Sequence, residues 1–229
     1  MFMKIAIHQP NYLPWIGFFD KLDQVDRFVL LDKAQFSKGN FINRNKIKSP
    51  QGSLFLTVPI KNKLKPINEL VIDHQKKWQV QHWKSIEANY KKAPFWSLYH
   101  KGFEQIYLQK WDLLAPFNIT LIKHICSLLS ISTDIFVESD FGIDFGSNNT
   151  RNVNIVSHLG GTIYVSGTGA KAYNQPNEYT NNGIELIYQD FKHPFYSQRY
   201  GDFESNLSII DLLFNCGPES INIIRMQRN

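Results

Sequence analysis

Residues 4–36 read Lys4-Ile-Ala-Ile-His8-Gln9-Pro10-Asn-Tyr12-Leu-Pro14-Trp15-Ile-Gly17-Phe-Phe-Asp-Lys-Leu-Asp-Gln-Val25-Asp-Arg27-Phe-Val-Leu-Leu31-Asp32-Lys-Ala-Gln35-Phe36. The apolar run from Lys4 to Ile7 reads as a strand. It breaks into a polar-aromatic loop holding two prolines and Gly17. Helix-compatible residues follow from Gly17 to Val25, and a second strand, Arg27 to Leu31, stops on Asp32. A strand–loop–helix–strand unit opens an open α/β sheet, and ligands of such sheets bind outside the carboxyl ends of the strands. His8, Gln9, Tyr12, Asp32 and Gln35 all fall at such ends.

Working outward, Pro50-Gln-Gly52 predicts a hairpin turn between strands at 45–48 and 54–58, placed at a sheet edge. A short strand is expected at 70–72. Trp78, Val80, Trp83, Ile86 and Tyr90 recur at helical spacing. Pro94 then opens a second helix, and a third spans 111–129 with Pro116 inside it, where a kink is expected. These make a helical subdomain at about 76–130. Strands follow at 135–137, 162–165 and 184–188. A helix capped by Asn149 or Thr150 reaches Leu159, another covers 207–215, and Gly217-Pro218 starts the last. The fold class is α/β: a mostly parallel, Rossmann-like sheet with an inserted helical block and an edge hairpin, residues 1–229 forming one domain.

The chain has 229 residues, 43% hydrophobic and 20% charged, ordinary proportions for a soluble globular protein. Its net charge of +5 suits an anionic ligand such as a nucleotide, but no dense basic stripe marks a nucleic-acid partner. Two widely separated cysteines, Cys126 and Cys216, fit a reducing cytoplasm. No signal peptide and no run of 18 apolar residues is present, so a cytoplasmic chain without a membrane span is expected. Neither His-Glu-x-x-His nor a carboxylate cluster occurs, and no metal is assigned. A Gly-x-Ser-x-Gly elbow is also missing.

Four constellations carry candidate chemistry. His8-Gln9-Pro10 with Tyr12, Trp15 and Gly17 offers an imidazole near a loop rich in rings. Asp32, Gln35, Asn43 and Arg44 combine a carboxylate with a planar guanidinium fork, in which Arg44 either holds an anion or pairs with Asp32. Ser166-Gly167-Thr168-Gly169, with Tyr173 beyond, can turn backbone N–H groups toward an anion. His193, Tyr196, Gln198, Ser208 and Asp211 form a polar-aromatic set in which Asp211 reads as an exposed helix charge.

His8-Gln-Pro-x-Tyr-x-Pro-Trp-x-Gly17, Asn43-Arg-Asn45, Leu56-Thr-x-Pro59, Tyr164-x-Ser-Gly167, Tyr196-x-Gln198 and Ser208-x-x-Asp-x-Leu-Phe-x-x-Gly217 together resemble the WbqC-like family. That family is bacterial and occurs in gene clusters for O-antigen and other surface polysaccharides. The resemblance implies amide formation on an amino sugar, by N-acylation or aminoacylation. Residues 4–36 are also laid out like the start of pantothenate synthetase, with Gly17 and Gln35-Phe36 matching, although Trp15 and Phe18 stand where two histidines would be.

The expected partners are a nucleotide-linked amino sugar and an acyl or aminoacyl donor. The alternative is a non-catalytic sugar-nucleotide-binding or scaffold protein. His8, Tyr12 and Asp32 are the expected catalytic residues, with His8 as the base. Gln9, Trp15, Gln35, Asn43, Arg44, Ser166, Gly167, Thr168, Tyr173, Tyr196 and Gln198 are expected to bind substrate. No cofactor is identified.

Overall fold

The computed structural model describes residues 2–75 and 77–228. The first strand, β1 (Lys4–His8), leads through α1 (Ile16–Asp23) to β2 (Arg27–Leu30). The hairpin is β3 (Arg44–Ser49) and β4 (Gly52–Thr57). The helical block is α2 (Trp78–Tyr90), α3 (Trp96–Leu108) and α4 (Leu114–Leu128), though position 76, its expected start, lies outside the described residues. Then come β5 (Asp134–Val137), α5 (Asn148–His158), β6 (Ile163–Ser166), α6 (Pro176–Thr180), β7 (Glu185–Tyr188), α7 (Ile209–Cys216) and α8 (Ser220–Arg225).

Five strands form one parallel sheet in the order β5-β2-β1-β6-β7. Alternation along each strand divides the core between two faces. Ile5, Ile7, Val29 and Tyr164 pack with α5 and Tyr179 of α6. Ala6, Phe28, Leu30 and Val165 pack with α1, α7 and the helical block. His8 follows the parity of Ala6 and so joins the α1 side.

Helix α1 is short, with Ile16, Phe18, Phe19 and Leu22 all buried. Its two central charges, Asp20 and Lys21, are buried as well.

Several local expectations change. The hairpin forms its own two-stranded sheet; the edges of the parallel sheet are β5 and β7. Residues 70–72 make isolated bridges, Ile60 with Ile72 and Val71 with Leu113, not a ladder. Pro94 precedes Phe95, the N-cap of α3, and so lies outside the helix. Pro116 is the third residue of α4, where a backbone N–H has no intrahelical acceptor, so no kink is required. Ser147 occupies the N-cap of α5 in place of Asn149 or Thr150. Gly160 closes that helix at φ +67°, with Gly161 N–H bonding the Val156 carbonyl at 2.8 Å.

Candidate functional site

The strand order reverses at β1: β2 and β5 lie on one side, β6 and β7 on the other. That topological switch point is where open α/β sheets bind ligands. At the carboxyl ends of β1 and β6 lies a cavity of about 190 Å³, walled by His8, Trp15, Gly17, Phe18, Lys21, residues 167–169, Gln189 and Phe191.

His8 donates Nδ1–H to the Gln9 carbonyl at 2.9 Å, which leaves Nε2 as a free lone pair in the neutral ring. Its ring meets Phe18 edge-on, centroids 5.0 Å apart. Burial, and then the neighbouring Lys21, pull its pKa down to about 3, against the Gln9 carbonyl. His8 is therefore free base at neutral pH. It accepts a hydrogen bond readily but holds a proton poorly.

Lys21 is 2% exposed, and its Nζ donates to the Ile7 carbonyl at 3.3 Å. Burial brings its pKa down to about 7. Among the described residues it makes no ion pair. Asp20, its chain neighbour, is occupied by Gln24 Nε2 and Gln189 Nε2, each at 2.6 Å, and by Arg228 Nε at 2.9 Å. Gln189 also donates to the Gly17 carbonyl at 2.8 Å, and Phe191 packs edge-on against Trp15. These contacts tie the segment after β7 to the start of α1.

Of the expected site residues, His8, Trp15, Gly167 and Thr168 line this crevice, and the Gln9 carbonyl holds the His8 ring. Ser166 follows the opposite parity of β6, and its hydroxyl accepts from Asn174 Nδ2 at 3.0 Å. Gln35 and Tyr173 border a larger cavity of about 670 Å³, to which Ala170 and Asn174 also contribute. The segment 167–174 thus runs from one cavity to the next.

The others do not converge there. Tyr12 is fully buried, its hydroxyl hydrogen-bonded to Tyr107 and, at 2.8 Å, to His82 Nδ1, so it fixes the loop to the helical block. Asp32 accepts from Ser139 N–H at 3.0 Å and Ser139 Oγ at 2.7 Å, joining the ends of β2 and β5. Arg44 donates to the Gly39 carbonyl at 2.8 Å and covers the Phe55 ring, so the considered pairing with Asp32 is not made. Asn43 donates to the Val58 carbonyl at 2.8 Å and lines a separate cavity beside His82.

Asp211 is not an exposed helix charge. It is fully buried and accepts from Tyr90 at 2.8 Å and Tyr196 at 2.9 Å. Gln198 joins the same cluster by accepting from Lys48 Nζ at 2.9 Å. Burial and Asp211 push the Cys216 thiol up to about 11, so it is no thiolate at neutral pH.

The sequence reading missed Lys21, Gln189 and Phe191. Lys21 is one of three charges in the eight residues of α1, so nothing local marks it as buried. Gln189 and Phe191 have no local signature, because only the pairing of β7 beside β6 brings them to the crevice.

Among the described residues no helix is long and apolar enough to cross a membrane. The chain is 35% identical over 230 residues to the uncharacterized protein Rv1507c of Mycobacterium tuberculosis, covering 98% of this chain and 99% of that relative. The WbqC-like protein family matches residues 9–223, and the chain belongs to that family.

Proposed function

We propose that this chain is a transferase that forms an amide on a nucleotide-linked amino sugar in surface-polysaccharide synthesis, with the switch-point crevice as its site. One observation carries the reading: a proton-free imidazole, His8, stands beside a buried amine, Lys21, in a cavity at the carboxyl ends of β1 and β6. An amine attacks an acyl carbon only when its nitrogen lone pair is free. His8 Nε2 accepts an N–H of the sugar amine and orients that lone pair toward the acyl carbonyl. The C–N bond forms, the acyl carbon–leaving group bond breaks with its electron pair going to the leaving group, and the proton lost by the amine ends on that departing group. Trp15, Phe18 and Phe191 supply ring faces for the sugar.

A binding protein without turnover is the second reading. It is favoured by the same His8, whose pKa of about 3 suits hydrogen-bond acceptance better than proton storage.

Incubating the protein with nucleotide-linked amino sugars and a panel of acyl and aminoacyl donors, read by mass spectrometry, separates the two. The transferase reading expects a product heavier by the acyl group. His8→Ala should abolish it while ligand affinity stays within about tenfold. Tight binding with no product from any donor leaves the second reading standing.

A further inference from the structure

We infer that the crevice beside Lys21 is an anion site that takes the phosphate or diphosphate group of a ligand. The inference rests on the crevice being the ligand site, not on amide chemistry.

A buried ammonium is costly unless an opposite charge or several acceptors meet it. Lys21 Nζ has one hydrogen-bond acceptor, the Ile7 carbonyl, and lies 5.8 Å from the centroid of the Phe28 ring; no carboxylate pairs with it among the described residues. It lies instead against the cavity. The loop after β6 faces it closely: a Cβ added at Gly167 would stand 4.0 Å from Nζ. The turn's own backbone bonds begin with Ala170 N–H to Gly167 and Lys171 N–H to Thr168, both about one turn on. The N–H groups of Gly167, Thr168 and Gly169 therefore have no acceptor among the described residues. A buried amine without a counter-charge lines the cavity, opposite a loop whose first N–H groups have no protein acceptor, and this makes the crevice electropositive.

The cavity of about 190 Å³ has the volume of roughly six waters, room for phosphoryl groups. Arg44, expected from the sequence to share this work, lies on the separate hairpin.

Binding has a proton signature. The amine sits at about 7 when the pocket is empty, and an adjacent anion favours its charged form. Above pH 7, binding must therefore take up a proton. The titratable and charged groups on the elements around it do not confuse the signal. His8 of β1 is already free base, Asp20 of α1 is held by Arg228, Lys171 lies over the Tyr188 ring, and Asp190 is exposed.

Calorimetric titration of the full chain at pH 8 with inorganic phosphate, pyrophosphate and uridine diphosphate, in two buffers of different ionisation enthalpy, tests this. The expected result is binding of at least one of the three with net proton uptake. Inorganic phosphate binding alone points to a monoester, and binding confined to the two diphosphates to a nucleotide-linked ligand. Lys21→Met should weaken binding about tenfold or more and abolish the uptake. Proton uptake in the unaltered chain needs no variant, so a misfolded Lys21→Met leaves the test intact. No binding of any of the three, binding without uptake, or undiminished affinity in folded Lys21→Met overturns the inference. Anion binding with no amide product defeats only the transferase reading, and product without anion binding defeats only this one.

Discussion

Lys21 leaves a thermodynamic trace that does not depend on any ligand. Its ordinary pKa of 10.5 falls to about 7 in the fold. Between those values the unfolded chain holds one more proton than the folded chain, so stability rises with pH across that window. Below about pH 7 both states are charged and the full penalty of burying the ammonium is present. Lys21→Met keeps the apolar stem and removes the charge. It should raise stability by roughly 2–5 kcal/mol at pH 6–7, and the gain should shrink as pH climbs toward 9.5. Urea unfolding of both proteins at four pH values measures it. A variant less stable than the parent at pH 6 would mean that the Ile7 carbonyl and the Phe28 ring compensate the ammonium for its burial. A residue that costs stability where it stands is a functional candidate by that fact, because such positions persist where the site needs them.

At the scale of elements, the strands of the parallel sheet were legible because each is built on an apolar run bounded by polar or glycine residues, as Ile163–Val165 is by Thr162 and Ser166-Gly167. Prolines were misplaced because their effect depends on where a helix begins: Pro116 reads as a breaker in a helix from 111 and is harmless in one from Leu114. Two buried charges share one circumstance. Lys21, not singled out from the sequence, and Asp211, expected to be exposed, sit in the short helices α1 and α7, where nearly every residue is buried whatever its polarity. Gly17 shows how tightly α1 is set. A Cβ there would come within 2.4 Å of the Trp15 ring. Alanine favours helix over glycine by about 1 kcal/mol, but the ring must move, and overpacking costs about 1–3 kcal/mol. Gly17→Ala should therefore destabilise the protein and shift tryptophan emission as Trp15 leaves Phe191. An alanine variant as stable as its parent would show that the Trp15 ring has room to yield.

Across the whole molecule, the crevice draws on segments far apart in sequence, at 8–21, 167–169 and 189–191. The first two were legible as strand ends, whereas the third depended on sheet order. The third segment continues without regular structure from β7 to α7, so side chains must hold it. Gln189 anchors its start to Gly17 and Asp20. Further on, Tyr196 donates to buried Asp211, and Gln198 bonds Lys48 Nζ together with the N–H and carbonyl of Glu204. Phe191 of the crevice wall lies between these anchors. Burial already drives the Asp211 pKa upward, and the two tyrosine hydroxyls oppose that. Tyr196→Phe deletes one hydroxyl without changing the ring, and leaves a carboxylate oxygen short of a donor. A hydrogen bond to a charged group contributes about 1.5–3 kcal/mol, so stability should fall by roughly that amount. The loss should also be local. Hydrogen–deuterium exchange is expected to quicken at 193–203, while amides of β1 and β6, buried in the parallel sheet, keep their protection relative to global unfolding. If stability falls but exchange at 193–203 is unchanged, Gln189 and Gln198 suffice to hold the segment, and the Tyr196–Asp211 bond serves the core of α7 instead.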